Sequence, residues 1–187
     1  MYRSSSKSFM LFFLLAALMA ATRSHHFDAL THLPDASLAV FLLAGFFLPR
    51  AAFPALLLMA GLADYAAINV AHVSDYCFTP AYWLLIPTYA LLWLAGNWYR
   101  KSHQATLTSL GKFGVISFAA VTGAFVISNL GFYLFAGYFA QMSASNYAAS
   151  VAQYYLPYLI SAALYLVPTC AAYALFIRTT QRAPVAH

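Results

Sequence analysis

The sequence predicts an all-α integral membrane protein, a single bundle of six transmembrane helices over residues 1–187 with N- and C-termini in the cytoplasm. Three observations carry that prediction. The chain is 64% hydrophobic with 7% charged residues and no glutamate, where soluble domains carry roughly 25% charged residues. Its apolar runs are 14 to 28 residues long, too long for the ~10-residue strands of a membrane barrel. Drawing six spans also separates the basic residues: Arg3, Lys7, Arg50, Arg100, Lys101, Lys112, Arg178 and Arg182 fall on one side, Arg23 alone on the other. Cytoplasmic loops collect Lys and Arg, so the loops at 23–35, 71–79 and 141–150 face outward. The net charge of +5 sits at helix ends, which leaves nothing for nucleic acid to read and makes the lipid bilayer the first partner.

The elements follow in order. Arg3 and Lys7 precede the apolar run Phe9 to Thr22. That is the make-up of a secretory signal, which we read as the first span. Ala16/Ala20 and Ala17/Ala21 give it small faces that let another helix come close. A polar loop, Arg23 to Asp35, leads to a second span from Ala36 to Leu48, with Asp35 as N-cap and Pro49-Arg50 as the stop. Both first spans are short for a ~30 Å hydrocarbon core. The third runs from Phe53-Pro54 to Val70 and holds Asp64 and Asn69. Thr79 and Pro80 open the fourth, which runs to Trp98 with a kink expected at Pro87. After the connector Arg100 to Lys112, the polar stretch Gln141 to Ser150 divides a fifth span, Phe113 to Ala140, from a sixth, Val151 to Ile177, with Pro157 and Pro168 bending the last. No inverted internal repeat is visible.

Chemistry concentrates between Asp64 and Trp83, D-Y-A-A-I-N-V-A-H-V-S-D-Y-C-F-T-P-A-Y-W. Cys77 lies just before a helix N-terminus, whose partial positive charge favours thiolate. A soft sulfur there suits a soft metal or redox chemistry; the alternative is a loop cysteine without a role. Cys170 falls late in the last run, roughly 30 Å away by helix rise, beyond bridging distance, and reads as a small buried residue. His25, His26, His32, Asp28, Asp35, His72 and Asp75 share the outer side, where solvated loop residues are the alternative reading of each histidine. A mid-helix acid costs about 2.5–3.5 kcal/mol on insertion scales. Asp64 therefore faces a polar cavity or a partner such as His25, or it is a protonated acid that stabilises the bundle. Tyr76, Phe78, Tyr82, Tyr154 and Tyr158 crowd the same end, and Tyr154 and Tyr158, four apart, share a helix face. Such a cavity fits a large planar metal cofactor. No HExxH, phosphate-binding glycine loop or GxSxG elbow occurs.

The segments S-D-Y-C-F-T-P-A-Y-W (Ser74 to Trp83), L-A-D-Y (Leu62 to Tyr65) and T-R-S-H-H (Thr22 to His26), set in six short helices with an Ala-xxx-Ala face, resemble the BtuM-type cobalamin transporters. These are related to the substrate-binding S-components of energy-coupling-factor (ECF) vitamin transporters. The resemblance implies uptake of cobalamin across a bacterial inner membrane, with Cys77 as axial ligand to the cobalt and the vitamin bound base-off. It implies that Cys77 assists removal of cyanide from cyanocobalamin, and that His25, Asp64 and Tyr82 support the site. The family is also associated with working without a dedicated ECF energising module, while the Ala16/Ala20 face would equally serve docking on a shared one. Two other readings stand beside it: an S-component for another vitamin with an incidental cysteine, and a membrane-anchored thiol redox protein.

Overall fold

The computed structural model describes residues 5–23, 33–70, 72, 74–76 and 78–182. Seven α-helices and one 3-10 turn follow in order, with no strand among the described residues. They are α1 (Ser5–Arg23), α2 (Ser37–Phe47), α3 (Ala52–Asn69), the turn Pro80–Leu84, α4 (Leu85–Ser102), α5 (Leu107–Phe135), α6 (Ala144–Ala152) and α7 (Tyr155–Arg182). Four of them, α1, α3, α5 and α7, are long and apolar enough to cross a membrane. Only 17% of the apolar stretches of α3 and α7 is buried inside the protein, so lipid must cover the rest. The chain is a helical, multi-pass membrane protein.

The helix α2 is the centre of the bundle. After Ser37 its residues are apolar on every face, and Ser37 through Gly45 are all buried, as expected of a helix with no polar stripe. It packs on α4 backbone to backbone: a Cβ on Gly45 would lie 2.1 Å from the Trp93 carbonyl oxygen, and one on Gly96 2.0 Å from that of Leu42. Around this contact Phe41 stacks on Tyr89 (4.2 Å between centroids, 7° between planes) and Trp93 meets Phe53 edge-on. On α1, Leu15, Ala16 and Met19 face this core, while Phe9, Met10, Phe13 and Leu14 face outward.

Local chemistry sets the helix ends. The N-cap of α2 is Ala36, not the expected Asp35; Asp35 stands one residue earlier, and its Oδ1 accepts from the Ser37 backbone N–H (2.9 Å). Thr79 Oγ1 likewise accepts from Ala81 N–H (3.3 Å), but the turn it opens is 3-10, and α geometry begins only at Leu85. Pro87 is thus third in α4, where a helix has no N–H partner to lose, and it starts the helix instead of kinking it. Pro157 occupies the same place in α7. Thr106 caps α5 through Ser109 N–H (3.2 Å), six residues earlier than the sequence suggests. The polar stretch after α5 is not simply a break: Ser143 accepts from Asn146 N–H (3.3 Å) and nucleates α6.

Hydrogen bonds gather the connectors at two ends. At one, Arg100 donates to the Leu48 carbonyl (3.3 Å), and His103 joins Tyr99 and Tyr173, each at 2.9 Å. At the other, Ala36 N–H donates to Thr22 Oγ1 (3.0 Å) and the Tyr165 hydroxyl donates to the Pro34 carbonyl. The second end carries the candidate site.

Candidate binding site

Arg23 ends α1 with its side chain only 8% exposed. A charge so placed must be paired and hydrogen-bonded. Nε donates to Asp64 Oδ1 (2.6 Å) and Nη2 to Oδ2 (2.7 Å), the two-pronged fit of guanidinium to carboxylate. Nη1 donates to Ser37 Oγ (2.8 Å) and to the Tyr89 hydroxyl (2.7 Å), and Asp35 Oδ2 lies 3.8 Å away. The Tyr82 hydroxyl completes Asp64 by donating to Oδ2 (2.7 Å). One side chain thus ties α1 to α2, α3 and α4, and through Asp64 to the 3-10 turn.

Above this network lies a cavity of about 410 Å³. Arg23 and Asp64 form its charged part; Tyr76, Phe78, Tyr82 and Phe132 give it aromatic walls, and Ser128 and Asn129 of α5 add polar groups. The volume is within the range of small-molecule sites, roughly 300–1,000 Å³, and the mix of apolar wall and a few polar groups is what such sites show.

Of the residues singled out in the sequence, Asp64, Tyr76, Phe78 and Tyr82 come together on this cavity. Cys77 and His25 lie outside the described residues, as do His26, His32 and Asp28. Arg23 and Tyr82 hydrogen-bond both carboxylate oxygens of Asp64, and the expected partnership of Asp64 with His25 lies outside the described residues. Tyr154 and Tyr158 are not among the residues that line the cavity, although Tyr158 hydrogen-bonds Ser128, which does. Tyr154 precedes the first turn of α7 and is 59% exposed, while Tyr158 packs on Phe125 of α5 (5.3 Å). It is α5 that supplies this wall, through Ser128, Asn129 and Phe132. The sequence signals for these were a polar pair within a long apolar run and, for Arg23, its being the lone outer basic residue in a chain with one mid-helix acid. Ala16 is buried in the chain's own core at 2% exposure and Ala20 is partly buried, so the outward small pair on α1 is Ala17/Ala21. Cys170 lines a separate, mostly apolar groove between α5 and α7. Among the described residues no three His, Cys, Asp or Glu side chains cluster as a metal site.

No family model matches the chain, and no curated protein matches it in sequence.

Proposed function

We propose that this chain binds a vitamin at the outer face of a bacterial inner membrane and serves its uptake, with six spans, cytoplasmic termini and an S-component-like plan. Cobalamin is the ligand to which Cys77 points. The observation that carries the reading is the 410 Å³ cavity, whose aromatic lining includes both Tyr76 and Phe78, the neighbours of Cys77 in sequence. The basic residues, eight on one side and one on the other, support the orientation, with α2 and α4 as the two spans beyond the four long apolar ones.

In this reading the Cys77 thiolate would hold the cobalt of the bound substrate, for which sulfur is a suitable donor, and the substrate would give up its cyanide as the anion in exchange for water, with no change of oxidation state. Arg23, Asp64 and Tyr82 hold the cavity floor in one geometry while the aromatic walls cover the ring. A whole corrinoid is larger than the cavity and would extend beyond its mouth. That volume favours, as a second reading, a smaller planar vitamin for which Cys77 is incidental.

Cyanocobalamin added to the purified protein decides between them. Wild type should shift the visible spectrum and release cyanide slowly. Cys77→Ser, nearly isosteric but far less willing to ionise, should keep the fold and do neither. An unchanged spectrum and equal cyanide release in both proteins would remove cobalt ligation.

A further inference from the structure

We infer that the groove between α5 and α7 is a lipid site, which takes an acyl chain of an anionic phospholipid and holds its phosphate at Arg178. The groove shares no lining residue with the outer cavity, and the inference is independent of what that cavity binds.

The groove has a volume of about 540 Å³ and extends from Leu110 to Val121 along α5 and from Leu159 to Ala174 along α7. Phe113, Ser117, Val121 and Leu166 form its buried floor. Just above Val121 the two helices are joined. There the hydroxyls of Thr122 and Tyr155 meet at 2.8 Å, and Phe125 packs on Tyr155 and Tyr158 at 5.2 and 5.3 Å. At the lower end each helix is tied to the end of α4, α7 through Tyr173 and His103 (2.9 Å) and α5 through Ser109 and Tyr99 (3.0 Å). Between these ties the groove lies open past the exposed small residues Gly114, Ala163 and Ala171. Both helices are long and apolar enough to cross a membrane, so the opening faces lipid.

Size and polarity decide the occupant. At the α-helical rise, Leu110 to Val121 spans roughly 17 Å, close to one leaflet of a ~30 Å hydrocarbon core. Spread over that length, 540 Å³ is a cross-section of roughly 30 Å². A partner helix about 10–12 Å across needs roughly 80–110 Å². A hydrocarbon chain, packed at about 4 Å from its neighbours, needs roughly 20 Å². Water does not suit the space, because a buried water takes about three polar partners. The lining offers one hydroxyl, Ser117, and one thiol, Cys170, and Ser117 Oγ is buried without a hydrogen-bond partner among the described residues.

Charge selects the headgroup. Ala171 and Ala174 line the groove, and Arg178 follows them two turns and one turn later on the same face of α7. It stands at the end of the apolar stretch Tyr155–Thr179, where lipid phosphates lie. Arg178 is exposed and has no ion pair among the described residues; the paired acids Asp35 and Asp64 belong to the other end. A guanidinium suits phosphate oxygens in pairs, and basic groups beside a cleft between membrane helices recognise anionic headgroups.

Native mass spectrometry of the full-length protein in detergent tests both halves, with palmitoyl-oleoyl phosphatidylglycerol against the phosphatidylcholine of the same chains. Wild type should hold a single phosphatidylglycerol about fivefold more tightly than phosphatidylcholine, the equivalent of ~1 kcal/mol for a basic residue near the membrane surface. Arg178→Gln should lose most of that preference, while Lys101→Gln, at the same end on α4, should keep it. Gly114→Leu puts a side chain into the groove and should weaken both lipids about tenfold. Gly111→Leu is the control: like Gly114 it has nothing within 4 Å of its Cβ position, but it does not line the groove, and it should bind as wild type does. Equal binding by the two leucine variants, or equal affinity of wild type for the two lipids, would overturn the site. So would a dimer in place of the lipid adduct that Gly114→Leu breaks, which would assign the groove to a second copy of the chain. If Gly114→Leu does not fold, Arg178→Gln against Lys101→Gln decides.

Discussion

Arg23 shows how a single side chain can fix the approach of four helices. Its pairing with Asp64 is nearly enclosed (8% and 19% side-chain exposure), and removing one partner of such a pair leaves a charge with nothing to offset its desolvation, at a cost of about 3 kcal/mol. Asp64→Leu should therefore lower stability strongly in detergent melts, whereas Arg23→Met/Asp64→Leu should recover much of the loss. A double variant as unstable as the sum of the two single ones would mean that the residues do not act as a pair. Tyr82→Phe, which removes one hydrogen bond to the carboxylate, should cost about 1.5 kcal/mol. At the other end, burial beside Tyr99 and Tyr173 lowers the His103 pKa. The unfolded chain then binds the proton more readily, so stability is highest above the ordinary histidine value near 6.5 and falls as pH drops from there to the lowered folded value. Melting temperatures taken across that window should decline for wild type and stay flatter for His103→Gln. An equal slope in both would assign the pH response to other groups.

Helix packing gives a sharper contrast, because the glycines divide by what stands opposite them. Gly45→Ala and Gly96→Ala each force a methyl against backbone at 2.1 and 2.0 Å, so α2 and α4 must separate, at about 3 kcal/mol. Gly61→Ala and Gly111→Ala meet nothing within 4 Å and should be neutral or stabilise by about 0.5–1 kcal/mol through helix propensity. A denaturation series over the four variants measures this directly, and similar losses in all four would contradict the close crossing. The helices themselves were largely legible: apolar runs located α1, α2, α3, α5 and α7, Thr79 and Pro80 marked the start of the 3-10 turn, and Asp35 fell one residue before the cap of α2. Two boundaries were not. Nothing in the residues separates a proline that kinks from one that begins a helix, so the 3-10 turn before Pro87 had no sequence signal. A stretch polar enough to end α5 was also alanine-rich and serine-capped enough to form α6.

For the whole molecule, the alternation of connectors between two ends agrees with an odd–even reading of the chain, and the basic residues should decide which end is cytoplasmic. In Cys77→Ser/Cys170→Ala protein, an impermeant maleimide should label Ser143→Cys in intact spheroplasts and Lys101→Cys only after lysis; the reverse pattern would invert the topology. The site was half legible. Asp64, Tyr76, Phe78 and Tyr82 were marked by an acid inside an apolar helix and by aromatic crowding at one end, and all four meet on the cavity. Arg23 and the α5 wall were not, because which helix stands beside which depends on packing through Gly45 and Gly96, not on periodicity along any one helix. The central claim is that this outer cavity takes a corrinoid through Cys77. The most direct measurement is the visible absorption spectrum of wild-type protein purified from cells grown with cyanocobalamin. Corrinoid bands that co-elute with the protein in near-equal molar amount are the result this account predicts. A colourless protein that also gains no bands when cyanocobalamin is added would contradict it.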